Sequence, residues 1–132
     1  MKLTIFTDGG ARGNPGPAAI GVVIHDTTGK VVFEKGKSIG HATNNVAEYS
    51  AVILAMEKAK ELGATELDFN LDSLLVVEQL KGNYKVKNAD LAQLFMKVWN
   101  LSKHFERISY KHIYREQNTA ADALVNAALD SK

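Results

Sequence analysis

Four acidic residues, Asp8, Glu48, Asp72 and Asp122, stand where one sequence pattern gives way to another. Gathered in one place, carboxylates repel one another and raise each other's pKa unless a cation compensates. The 132-residue chain has no cysteine and no closely spaced histidine pair, which argues against zinc. An all-oxygen set suits Mg²⁺ or Mn²⁺, which keep several waters and share ligands with phosphate oxygens. The chemistry best served is phosphoryl transfer by two metal ions about 3.5–4 Å apart. A nuclease fits this better than a kinase: there is no G-x-x-x-x-G-K-[ST] loop, and Gly10-x-x-Gly13-x-x-Gly16 is not the dinucleotide-binding spacing.

Each acid also has an ordinary structural reading. Asp8 precedes Gly9-Gly10 as a turn residue would. Glu48 completes an Asn45-x-x-Glu48 capping pattern, and Asp122 completes Thr119-x-x-Asp122. Asp72 could be a helix N-cap. These readings do not explain why all four should point to one end of one sheet, and that convergence follows from the elements carrying them.

Strand-like runs come first: Lys2–Thr7, Ala18–Asp26 and Val31–Ser38, the last two joined by Thr27-Thr28-Gly29. A helical period runs from about Asn45 to Leu62 and stops at Gly63. Then follow a short strand, Glu66–Leu71, a helix from Asp72 or Ser73 to Leu80, a helix over Asp90–Lys103, a strand over Arg107–Ile113 and a helix opening near Asn118. The order β-β-β-α-β-α-α-β-α predicts one domain, residues 1–132, of α/β class. Its mixed sheet begins as an antiparallel meander and continues in parallel β-α units. Ligands gather at the carboxyl ends of parallel strands. Asp8 ends the first strand and Asp72 the fourth. Ala51, Ala55, Ala59 and Leu62 share a helical arc with Glu48, which turns that acid inward; Asp122 sits similarly beside Leu124, Val125, Ala128 and Leu129.

Sixteen basic against fifteen acidic residues leave a formal charge of +1, a weak basis for bulk attraction to nucleic acid but compatible with a local basic strip. The lack of cysteine, of a long apolar N-terminal run and of any eighteen-residue apolar stretch leads to the expectation of a cytoplasmic chain with no membrane association.

The stretch TDGGARGNPGPAA, Thr7 to Ala19, is rich in glycine and proline. It reads either as a rigid surface turn or as backbone held close to a sugar-phosphate ligand. Thr43-Asn44-Asn45, just before Glu48, offers short polar groups for bases, sugars or helix capping.

Four ordered segments, TDGGARGNPGPAAIG, TNNVAEYSA, DSLLVVEQLKGNYKVKN and REQNTAADALVNAAL, together resemble the signature segments of the ribonuclease H family, type 1, over nearly the whole chain. The resemblance implies the family's five-stranded mixed sheet with flanking helices, and Mg²⁺-dependent (or Mn²⁺-dependent) cleavage of the RNA strand of RNA/DNA hybrids with two ions. It implies Asp8, Glu48, Asp72 and Asp122 as catalytic metal ligands. It further implies substrate contacts from Gly9, Gly10, Asn14, Thr43, Asn44, Asn45 and Asn118, in a monomer needing no protein partner. The alternative is a catalytically weak or inactive nucleic-acid-binding module of the same fold.

The chain departs from the family pattern in three places. Only Tyr114-Arg115-Glu116-Gln117 separates the last strand from Asn118, too short for the histidine-bearing loop of some members, so His112 reads as an ordinary strand residue. Leu74 stands two after Asp72, where a polar residue is usual. KGNYKVKN, Lys81–Asn88, replaces a basic protrusion with three lysines and a tyrosine. These mark a compact subset of the family.

Overall fold

The computed structural model describes residues 1–131. Apolar residues at alternate positions form β1 (Lys2–Ala11), with Leu3 and Ile5 buried. A turn at Arg12 to Pro15 leads into β2 (Gly16–His25), and the Arg12 N–H closes it on the Pro17 carbonyl at 2.8 Å. Gly13 takes φ +98° there, a conformation that a side chain would oppose. The chain continues through β3 (Val31–Ala42), α1 (Asn44–Glu61), β4 (Glu66–Leu71), α2 (Leu74–Leu80), α3 (Ala89–Ser102), β5 (Arg107–His112), a 3₁₀ turn (Arg115–Gln117) and α4 (Thr119–Asp130).

The strands lie in the order β3-β2-β1-β4-β5. β1, β2 and β3 form the antiparallel meander, and β1, β4 and β5 run parallel, as the element order predicts. Ala51, Ala55 and Ala59 are fully buried along α1, so this helix lies close on the sheet. Asp8 and Gly21 are cross-strand partners and share the opposite face, where α4 packs with the Ala121 backbone over Gly21. Covered on both sides, β2 is buried from Ala18 to Ile24. No helix among the described residues is long and apolar enough to cross a membrane.

Strand boundaries depart from expectation in the glycine-rich stretch. β1 does not end at Asp8 but pairs with β2 as far as Ala11↔Ala18. Most of TDGGARGNPGPAA is therefore hairpin strand, with a short turn between. The glycine at position 9 serves packing: a Cβ there would meet the Ala47 carbonyl group and come within 2.5 Å of the Glu48 nitrogen. Lacking that atom, β1 and the first turn of α1 touch through their backbones.

Gly9→Ala is therefore expected to cost about 3 kcal/mol, the scale of overpacking in a tight core. Gly10→Ala, whose Cβ would find Val125 Cγ1 at 3.9 Å and Asn44 Oδ1 at 4.0 Å, should cost under about 1 kcal/mol. Denaturant unfolding of the two variants measures the difference.

Candidate active site

The parallel ladder between β1 and β4 stops at Thr7↔Leu71, while β1 runs on to Ala11. Beyond Thr7, then, β1 has no strand on its β4 side. The Gly9 N–H is bonded there by carboxylates instead, donating to Asp8 Oδ1 at 3.0 Å and Glu48 Oε1 at 3.2 Å. Asp72, the residue after β4, completes the group: Asp8, Glu48 and Asp72 each offer an oxygen within 4.8 Å of the others.

The competing capping roles belong to other residues. Thr43 caps α1, its side chain accepting from the Val46 N–H at 3.2 Å, and Ser73 caps α2, accepting from Val76 at 3.3 Å. Glu48 and Asp72 are thereby free of the helix ends they stand beside. Glu48 is buried, and its Oε2 has no hydrogen-bond partner. A buried carboxylate grouped with two other acids and keeping one oxygen unpartnered is the arrangement a hard divalent cation would satisfy.

Asp122 lies in the first turn of α4, where its Oδ2 accepts from Asn126 Nδ2 at 3.3 Å. It falls outside the tightest three-acid group but lines the same cavity of about 370 Å³. Burial foremost, then the charge of Asp72 and the nearby Asp122 carboxyl, push the Asp8 pKa up to about 7. Glu48 is raised well above its ordinary value by burial and by the charges of Asp8 and Asp72, against which the Gly9 N–H acts.

The residues expected to meet substrate divide. Gly10, Asn44 and Asn45 line the cavity beside the acids. Asn14 is joined to them, its Oδ1 accepting the Asn44 N–H at 3.0 Å, while Asn44 Oδ1 accepts from the Ala11 N–H at 2.8 Å. With both oxygens engaged by backbone, both side-chain nitrogens remain as donors. Thr43 is spent on capping. The remaining two are turned toward the acids. Gly9 also lines the cavity, and its N–H donates to the acids. Asn118 is 1% exposed, its amide turned to Thr7 and Asp72.

Sequence reading missed Arg115, which lines the cavity from the 3₁₀ turn. Its signal in the sequence is a cation in the short connector leading to Asp122. Arg12 also lines the cavity, paired with Asp130 at 2.6 Å. His112 lies in β5 and packs edge-on against Tyr114, as an ordinary strand residue does. A separate cavity of about 300 Å³, lined by Leu80, Phe95, Trp99 and Tyr110 among others, has no such gathering of acids.

Comparison with known proteins places this geometry in company. A family profile described as reverse transcriptase-like matches residues 6–128. The bifunctional protein Rv2228c of Mycobacterium tuberculosis is 47% identical over 99% of this chain, which spans 36% of that protein's length. The structure of its N-terminal RNase H domain superposes with a TM-score of 0.96 at 46% identity, covering 98% of this chain and all of that one. Ribonuclease HI of Halobacterium salinarum is 43% identical over 98% of this chain and 65% of its own length. The RNase H1 structure from that archaeon has a TM-score of 0.97 at 41% identity, with full coverage of both chains. LC11-RNase H1, solved in complex with an RNA/DNA hybrid, has a TM-score of 0.93 at 45% identity, covering 97% of this chain and 96% of that one.

The raised Asp8 pKa has a signed consequence. In the unfolded chain this carboxyl ionises near its ordinary 3.8, and in the folded, metal-free protein near 7. Between those values the native state holds the extra proton, so the contribution of Asp8 to stability falls as pH rises and is lost above about 7, and Glu48, raised for the same reasons, acts in the same direction. Asp8→Asn should flatten that slope and raise the metal-free Tm at pH 8 by on the order of 5 °C. Mn²⁺ affinity should strengthen as pH rises to about 7, with protons released on binding. Thermal melts across pH, and calorimetry in buffers of different ionisation enthalpy, measure both.

Proposed function

The chain belongs to the ribonuclease H family, type 1, and from that premise we propose that it hydrolyses the RNA strand of RNA/DNA hybrids endonucleolytically. The observation that carries this reading is the meeting of Asp8, Glu48 and Asp72 within 4.8 Å, on segments remote in the chain. The family and this acidic group support divalent-metal use. We assign Mg²⁺ or Mn²⁺, two ions in the presence of substrate, with Asp122 as the fourth acid at the cavity's edge. Ions held by these oxygens supply charge neutralisation and Lewis acidity for in-line attack on a phosphodiester.

The protein's own groups do the remainder. Gly9 holds Asp8 and Glu48 from the backbone, so the acids do not rely on flexible neighbours for their placement. Asn14 and Asn44, with their oxygens tied back, direct N–H donors toward the nucleic acid; 2′-hydroxyls and minor-groove acceptors suit such donors. Arg115 brings positive charge to a cavity otherwise dominated by acids, where it attracts phosphate. The short connector before α4 and the small lysine loop fit the compact subset of the family. The same reading has the chain working as a monomer in the cytoplasm on hybrids formed during replication.

A labelled RNA strand paired with DNA should be cut internally in Mg²⁺ or Mn²⁺ and remain whole in chelator. Asp8→Asn or Asp72→Asn should lower the cleavage rate by roughly 10³-fold while hybrid binding persists. Arg115→Ala should weaken hybrid binding and make it less dependent on salt. Cleavage unaffected by either acid substitution would overturn the metal reading; binding by the parent chain with no cleavage at any metal concentration would favour the binding-module alternative.

A further inference from the structure

Where the β1–β4 ladder ends, no strand-to-strand hydrogen bond sets the spacing between Asp8 and Asp72. Asn118 occupies that position. Its Nδ2 donates to the Thr7 carbonyl at 2.9 Å and to Asp72 Oδ2 at 3.1 Å. Its own carbonyl accepts the Asp122 N–H at 3.1 Å. One residue thus touches the peptide before Asp8, the carboxylate of Asp72 and the helix turn that carries Asp122.

The pattern of satisfied and unsatisfied atoms shows what the side chain is kept for. A carboxamide nitrogen has two N–H groups, and both are used. The oxygen of the same amide, Oδ1, is buried without a partner. A side chain retained only to balance buried polarity would satisfy both ends. It does not cap α4 either, since no side-chain hydrogen bond reaches the helix end.

We infer that Asn118 is a positioning residue for the proposed metal site and makes no contact with substrate. It ties Asp72 through one oxygen to the backbone beside Asp8, which leaves the other oxygen for cations. The inference rests on the metal-dependent reading above.

The test is calorimetric titration of Mn²⁺ into the substrate-free protein, parent and Asn118→Ala, with hybrid affinity measured separately in chelator. Groups that orient metal ligands are worth about 10–100-fold in metal affinity, and a loss of that size is expected for Asn118→Ala. Hybrid affinity in chelator should stay within about twofold of the parent, and cleavage should recover as Mn²⁺ is raised. Mn²⁺ binding as tight as the parent's, or weakened hybrid binding in chelator, overturns the assignment and leaves the proposed function intact. A parent chain that binds no Mn²⁺ removes both. Circular dichroism and thermal melting establish that Asn118→Ala is folded; if it is not, Asn118→Ser carries the comparison. If neither folds, Asn118 is a folding residue and the positioning role is lost.

Discussion

Three carboxylates brought within reach of one cation repel each other and lose hydration together, and the end of the β1–β4 ladder is built to hold them there. The sheet supplies the opening, because β1 outruns its parallel neighbour and leaves the Gly9 N–H without a strand. The acids supply the acceptors, and the raised pKa of Asp8 and Glu48 records the cost of that association when no cation is present. Tight placement of ligands and a preference for neutral acids in the metal-free protein are two consequences of one geometry.

Small residues make this approach possible. Gly9 lets β1 touch the first turn of α1, and the buried alanines continue that close contact along the helix. Glu48 can then extend from a helix on one face of the sheet to meet Asp8 on the other, around the strand edge where β4 has ended. A longer side chain at the contact would hold the helix away and pull Glu48 back with it. The same economy appears on the opposite face, where α4 lies over Gly21 and Gly36 and carries Asp122 toward the cavity.

The cavity's remaining groups divide the work between holding and reaching. Gly9 and Asn118 face inward and are consumed by the acids. Asn14 and Asn44 are restrained through their oxygens, which leaves their side-chain nitrogens for the substrate role proposed above. Two asparagines of identical chemistry, Asn44 and Asn118, thereby take opposite assignments, because one is exposed and the other is covered where β1, β4 and α4 meet.

Much of this was legible in the chain's order of residues. Alternating apolar positions marked the strands, the alanine period placed Glu48 on the buried side of α1, and the order of elements implied the mixed sheet with Asp8 and Asp72 at one rim. Such patterns are readable because burial repeats with the geometry of a single helix or strand. Other features depend on which remote segment arrives, and at what distance. Glycine and proline in TDGGARGNPGPAA looked like a loop, yet β2 and α1 make most of it strand. Capping fell to Thr43 and Ser73, although neighbouring Asn45 and Asp72 fitted the local rule equally well. The burial of Asn118 and the arrival of Arg115 beside the acids are likewise agreements among separate elements, settled when backbones pack and buried polar groups find partners.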